Sequence, residues 1–116
     1  MNLTPFNKDG VPTVKVHNLK EIEGMRLIDV RMPEEFIGDL GHINGAQLKT
    51  LGPELEDFLK SAPKDQPTLF ICRSGARSAR ATQMAQAQGF KQVYNLEGGM
   101  IFWNERGLDV SFQHDG

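Results

Sequence analysis

At 116 residues the chain is long enough for one domain with a real core and too short for two. A hydrophobic fraction of 39% and a charged fraction of 24% suit a globular protein, and a net charge of −2 leaves no overall attraction for nucleic acid or an anionic membrane. No apolar run reaches membrane-spanning length, the first residues lack a signal peptide's apolar stretch, and one cysteine excludes an internal disulfide or cysteine-rich zinc site; a cytoplasmic location with a free thiol is expected.

Residues 1–12 are polar, carry Pro5, Gly10 and Pro12, and read as an N-terminal extension lying over the surface before the fold begins. Thr13-Val-Lys-Val16 alternates, which predicts a short strand. Asn18 is placed to cap a brief helix, Leu19 to Glu23, that stops at Gly24. His17 belongs to that strand-to-helix turn; it lacks partners for a metal role. Leu27 to Arg31 reads as a second strand, after which Pro33 can open a helix over Glu34–Ile37. Asp29 and Arg31, at the strand end, are either an active-site pair or an ion pair bracing nearby loops, and the bracing role is the simpler. Glu35 either braces a neighbouring loop or is a solvated helix residue. Gly38 to Ala46 is a glycine-punctuated loop, followed by a short apolar stretch around Ala46–Leu48. His42 in this loop invites a general-base role, but a thiolate needs no base, so a structural role is expected. Thr50 to Glu54 looks like a helix start, and Leu55, Phe58 and Leu59 form its core-facing stripe.

The most informative stretch is Thr68-Leu-Phe-Ile-Cys72-Arg-Ser-Gly-Ala-Arg77-Ser78. Thr68 to Ile71 is a short, β-rich apolar run that suits a central strand. Strong helix formers follow, predicting a helix over 78–88 with Gly89 as its stop. The loop between them aims backbone N–H groups at one point, at the positive end of a helix dipole. Cys72 sits at that point, where the field favours a nucleophilic thiolate. Arg77 lies five positions on, so a Cys-x4-Arg loop closes around a small anion; Arg73 and Arg80 add charge nearby. A lone cysteine is more often a small buried hydrophobe, but Gly75 and three arginines at a strand-to-helix turn favour an active site. Val93 to Leu96 is a further strand. Gly98-Gly99, which allow close backbone approach to a neighbour or ligand, lead into a short helix over Met100–Arg106 whose Trp103 reads as core or pocket wall. Alternating strands and helices imply βαβ units and a parallel sheet, with the ligand site beyond the strands' carboxyl ends, where Cys72 lies.

Three segments together give the chain a family resemblance. Leu27-Ile-Asp-Val-Arg-Met-Pro-Glu-Glu-Phe36 with Gly41-His-Ile-Asn-Gly-Ala46 resembles the N-terminal signature of single-domain rhodaneses, which are sulfurtransferases. Cys72-Arg-Ser-Gly-Ala-Arg-Ser78 is similar to the family's active-site loop, and Asn95-Leu-Glu-Gly-Gly-Met-Ile-Phe-Trp103 to its C-terminal signature. The resemblance covers most of the chain. It implies an α/β domain with a central five-stranded parallel sheet flanked by helices on both faces, here over residues 13–110, with 111–116 as a C-terminal tail. It places Cys72 as nucleophile, Arg73, Ser74, Gly75, Ala76, Arg77 and Ser78 as the anion cradle, and Asp29 and Arg31 where the family has supporting residues; the bracing and structural roles read above add Glu35 and His42 to the supporting residues. The sequence departs from the family after Ala46, where Gln47-Leu48-Lys49-Thr50 replaces the commoner Ile-Asn-Ile-Pro, which leaves substrate preference open.

The implied reaction moves a sulfane sulfur from a donor such as thiosulfate, a persulfide or a polysulfide to cyanide, a thiol or a protein acceptor, by way of a Cys72 persulfide and with no metal or organic cofactor. Two rivals are a cysteine phosphatase and a sulfur-carrier or binding module acting on a protein partner. The phosphatase loop has one more residue and a preceding histidine, where this chain has Ile71 and a shorter loop better matched to a sulfur atom. An inactive binding module would be expected to lack the cysteine.

Overall fold

In the computed structural model, which describes residues 3–113, the chain runs through strands β1 (Phe6–Lys8) and β2 (Val11–Val14), a 3-10 turn (Leu19–Ile22), strand β3 (Arg26–Asp29), helix α1 (Pro33–Phe36), strand β4 (Gln47–Leu48), helix α2 (Pro53–Ser61), strand β5 (Thr68–Ile71), helix α3 (Ala76–Ala87), strand β6 (Val93–Leu96) and helix α4 (Gly99–Glu105). The strands form one sheet in the order β1-β2-β6-β5-β3-β4. From β2 to β4 every pairing is parallel, which is the expected five-stranded sheet.

The sixth strand is a correction. The sequence reading leaves residues 1–12 outside the fold, yet Phe6–Lys8 pairs antiparallel with β2 across a two-residue Asp9-Gly10 turn. The hairpin shifts β2 to Val11–Val14, and Pro12 is tolerated because pairing with β6 begins only at Thr13. At the other end, the first residues of the expected tail also join the fold: His42 and Ser111 exchange backbone hydrogen bonds at 2.8 Å, pinning the tail to the 38–46 loop. The rest of that tail, residues 114–116, lies outside the described residues.

β5 is buried on both faces because helices cover each side. Leu69 and Ile71 point to one layer with Leu27, Leu96, Met100 and Trp103. Phe70 and Cys72 point to the other, against Ile28 of β3, Val30 just after it, and Leu55, Leu59, Ala81 and Ala85 from α2 and α3. The period-two alternation of strand side chains therefore decides which layer receives the cysteine. No described helix is long and apolar enough to cross a membrane.

Candidate active site

Cys72 follows directly on β5, so the best-buried strand of the sheet fixes its position. It is 1% exposed, and its Sγ accepts a hydrogen bond from the Gly75 N–H at 3.0 Å, with Ser78 Oγ at 3.2 Å. Gly75 holds φ at +107°, a conformation side chains resist, and packs against the 95–98 segment. It starts α3 without a capping side chain, so the N–H groups of the first turn keep their positive dipole end toward the loop. Arg73, Ser74 and Ala76 stand on the loop's exposed side, and Ser78 is buried beneath it.

Helix α4 holds the loop from the opposite side. Met100 N–H donates to the Cys72 carbonyl at 2.9 Å, and Ile101 N–H to the Arg73 carbonyl at 3.0 Å. Tying both carbonyls to α4 fixes the two peptide planes that carry the Arg73 and Ser74 N–H groups, just before the Gly75 N–H that meets the sulfur. This contact explains Gly99, whereas a Cβ on Gly98 would run into the Phe102 side chain. A Cβ on Gly99 would lie 2.4 Å from the Cys72 carbonyl oxygen, so only a glycine lets the helix come this close. The neighbour that Gly99 admits is the cysteine loop itself.

The charged residues form two braces. Arg77 donates through Nη1 and Nη2 to both carboxylate oxygens of Glu35, at 2.7 and 2.8 Å, tying α3 to α1. Glu35 also accepts the Met32 N–H, and the Arg77 bonds foremost hold its carboxyl down to about 2 against the opposing effect of burial. Arg77 is in turn held more firmly protonated, by Glu35 first and less by the charges of Cys72 and Asp29. The guanidinium is thus shared with a carboxylate at the loop's rim. Arg73 lines a polar cavity of about 320 Å³ with Arg31, Glu34, Glu35 and Asp39 beside this pair.

The second brace is buried. Arg31 pairs with Asp29 through Nε at 2.9 Å and Nη2 at 2.8 Å, and Nη2 also donates to the Gly41 carbonyl at 2.7 Å. Both side chains are at most 1% exposed, so the cost of desolvating the charges is met by this full set of partners. The pair anchors the glycine-punctuated loop to the end of β3. His42 stacks on Phe36 at 3.6 Å and its Nδ1 bonds the Phe36 carbonyl at 2.7 Å, within the loop's own packing. The geometry thus gathers Cys72, Arg73 to Ser78, Glu35, Asp29 and Arg31 at one end of the sheet, and engages His42 with α1.

Sequence reasoning does not single out Asn95. Its Oδ1 lies 2.5 Å from Ser78 Oγ, directly behind the cysteine. Its signals are its place at the start of the segment similar to the family's C-terminal signature and a polar residue facing inward in a mostly apolar strand.

Comparison with known proteins agrees with this arrangement. The family model described as rhodanese-like domain matches residues 13–106. A Pseudomonas putida protein named thiosulfate sulfurtransferase GlpE is 34% identical over 80% of this chain and 82% of its own. Among solved structures, a rhodanese-related protein from Thermoplasma volcanium has a TM-score of 0.71 at 27% identity, covering 87% of this chain and 98% of its own. A Rhodopseudomonas palustris protein of unknown function, described as a possible tyrosine phosphatase, also scores 0.71 at 30% identity over 79% of this chain and 74% of its own. A buried cysteine at the carboxyl end of a parallel sheet, a glycine-held loop around it and a match over most of the chain lead to one conclusion: the protein is a member of the rhodanese-like domain family.

Proposed function

We propose that the protein is a sulfurtransferase that works through a persulfide on Cys72. The observation that carries this reading is the cysteine itself, with its sulfur met by the Gly75 N–H and the Ser78 hydroxyl at the mouth of a helix N-terminus. The thiosulfate sulfurtransferase name of the Pseudomonas putida relative supports the same chemistry. A Cys72 thiolate attacks the outer sulfur of a donor such as thiosulfate; the donor's S–S bond breaks and sulfite leaves with the electron pair. An acceptor nucleophile, cyanide or a thiol, then attacks the outer sulfur of the persulfide and the Cys72 thiolate is restored. Arg73, Ser74, Gly75, Ala76, Arg77 and Ser78 form the cradle for the negative charge, and Asp29, Arg31, Glu35 and His42 keep the surrounding loops in place. Four residues between Cys72 and Arg77 favour a sulfur over a phosphoryl group as the occupant. Residues 13–110 act as the catalytic domain, in the cytoplasm, on small donors and on thiol, cyanide or protein acceptors.

The test is the intact mass before and after incubation with thiosulfate in the absence of reductant. The expected result is a gain of one sulfur atom at Cys72 that cyanide removes, and no gain in the Cys72→Ser variant, which keeps the fold. Absence of the gain in folded protein with a free thiol would overturn the reading and make phosphatase substrates the next to try.

A further inference from the structure

The Ser78 hydroxyl lies between two acceptors, Asn95 Oδ1 at 2.5 Å and Cys72 Sγ at 3.2 Å, and has one proton to give. Ser78, Cys72 and Asn95 are all at most 4% exposed. With the Asn95 oxygen turned to Ser78, the proton is drawn to the amide, and the serine oxygen is left to accept from a neutral thiol. With the amide turned over, Nδ2–H donates to Ser78 Oγ and the hydroxyl proton is sent to the sulfur, which suits a thiolate. The same heavy-atom positions serve both orientations. The amide makes no other hydrogen bond among the described residues, and Asn95 also lines a groove shared with Lys8, Arg80 and Gln83. Turning it over therefore breaks no further bond to the protein.

We propose that Asn95 is a positioning residue whose amide sets the direction of the Ser78 hydroxyl, so that Ser78 donates to Cys72 when the sulfur is charged and turns back to Asn95 when it is not. In the sulfur-transfer cycle Sγ carries charge before the donor is attacked, is neutral while bonded to the outer sulfur, and is charged again when the acceptor takes that sulfur. No proton is transferred; the Ser78–Asn95 hydrogen bond reverses, and the Ser78 bond to Sγ is made when the sulfur is charged and given up when it is bonded to the outer sulfur. The inference rests on Cys72 being the nucleophile. Other charges near the sulfur are those of Arg77 on α3 and, through it, Glu35 on α1 and Asp29 on β3 with its partner Arg31; α2 and β6 bring Leu55 and Val93.

The test is the rate of Cys72 alkylation by iodoacetamide against pH, with thermal unfolding recorded for each variant. Asn95→Asp keeps the shape but only accepts, so it retains the Ser78 proton: alkylation at neutral pH should slow about tenfold and its pH profile move upward. In a Ser78→Ala background the same change should alter the rate by less than about twofold, because the hydroxyl that carries the effect is gone. A tenfold loss persisting there would assign the effect to charge alone and overturn the proposal, as would no loss in the single variant. Asn95→Ala releases the hydroxyl to the sulfur and should alkylate within about twofold of the parent, while Ser78→Ala slows; equal losses in these two overturn the proposal even if Asn95→Asp does not fold. Alkylation needs no sulfur donor. These shifts with no persulfide formed would uphold the Asn95 role and sink the sulfurtransferase reading, and the reverse pattern would do the opposite.

Discussion

Glu35 and Arg77 show what single residues can and cannot reveal in advance. A glutamate two positions after Pro33 reads equally as a brace or as a solvated residue, because its partner lies 42 positions away and only the folded chain brings them together. The pair makes a pH-dependent contribution whose sign follows from the lowered carboxyl. Stability is fully present above the ordinary value of 4.5 and is lost as pH falls toward about 2. Both side chains are partly open to solvent, which screens the pair, so Glu35→Gln should cost about 1–2 kcal/mol at pH 7. Urea melts at several pH values check this: the variant's stability should vary less between pH 4.5 and 2 than the parent's. The buried Asp29–Arg31 pair is easier to read, since its partners are two residues apart at a strand end.

At the scale of elements, β5 and β6 match the sequence reading residue for residue, because each is a short apolar run with clear breaks on either side. Helix α3 begins two residues before the expected start, since Gly75 stands where a capping side chain would have marked the boundary. The approach of α4 to the cysteine loop is legible only as permission, in the form of two glycines. What they admit depends on the strand order, which places β6 next to β5. Gly99→Ala should therefore push α4 away from the Cys72 carbonyl, destabilise the protein by about 2–4 kcal/mol and slow Cys72 alkylation. Denaturant unfolding and alkylation rates measure the two effects. Unchanged values for both would mean that the loop does not depend on this helix.

For the whole molecule, the parallel sheet follows from alternating strands and helices, and the family signatures mark where its active end lies. The hairpin at the start is also within reach of the sequence, because Asp9-Gly10 is a strong two-residue turn signal. The surrounding polar residues, with a proline two positions on, hide it: all three residues of β1 are exposed and lack the alternation that marks a half-buried strand. The bridge from Ser111 to His42 carries no local signal, since it joins segments far apart in the chain.

That hairpin bears on how copies of the protein behave toward one another. A parallel sheet ending at β2 would present the unpaired backbone of an apolar strand, a ready template for a second chain. β1 covers this margin, and the sheet then ends in three exposed residues on one side and the two residues of β4 on the other. Such short ends offer little for strand addition. Removal of residues 1–10 should leave the rate of Cys72 alkylation unchanged but make the protein self-associate as its concentration rises, seen as growing light scattering. A truncated form that stays as dispersed as the full chain would show that the sheet's margin needs no cover.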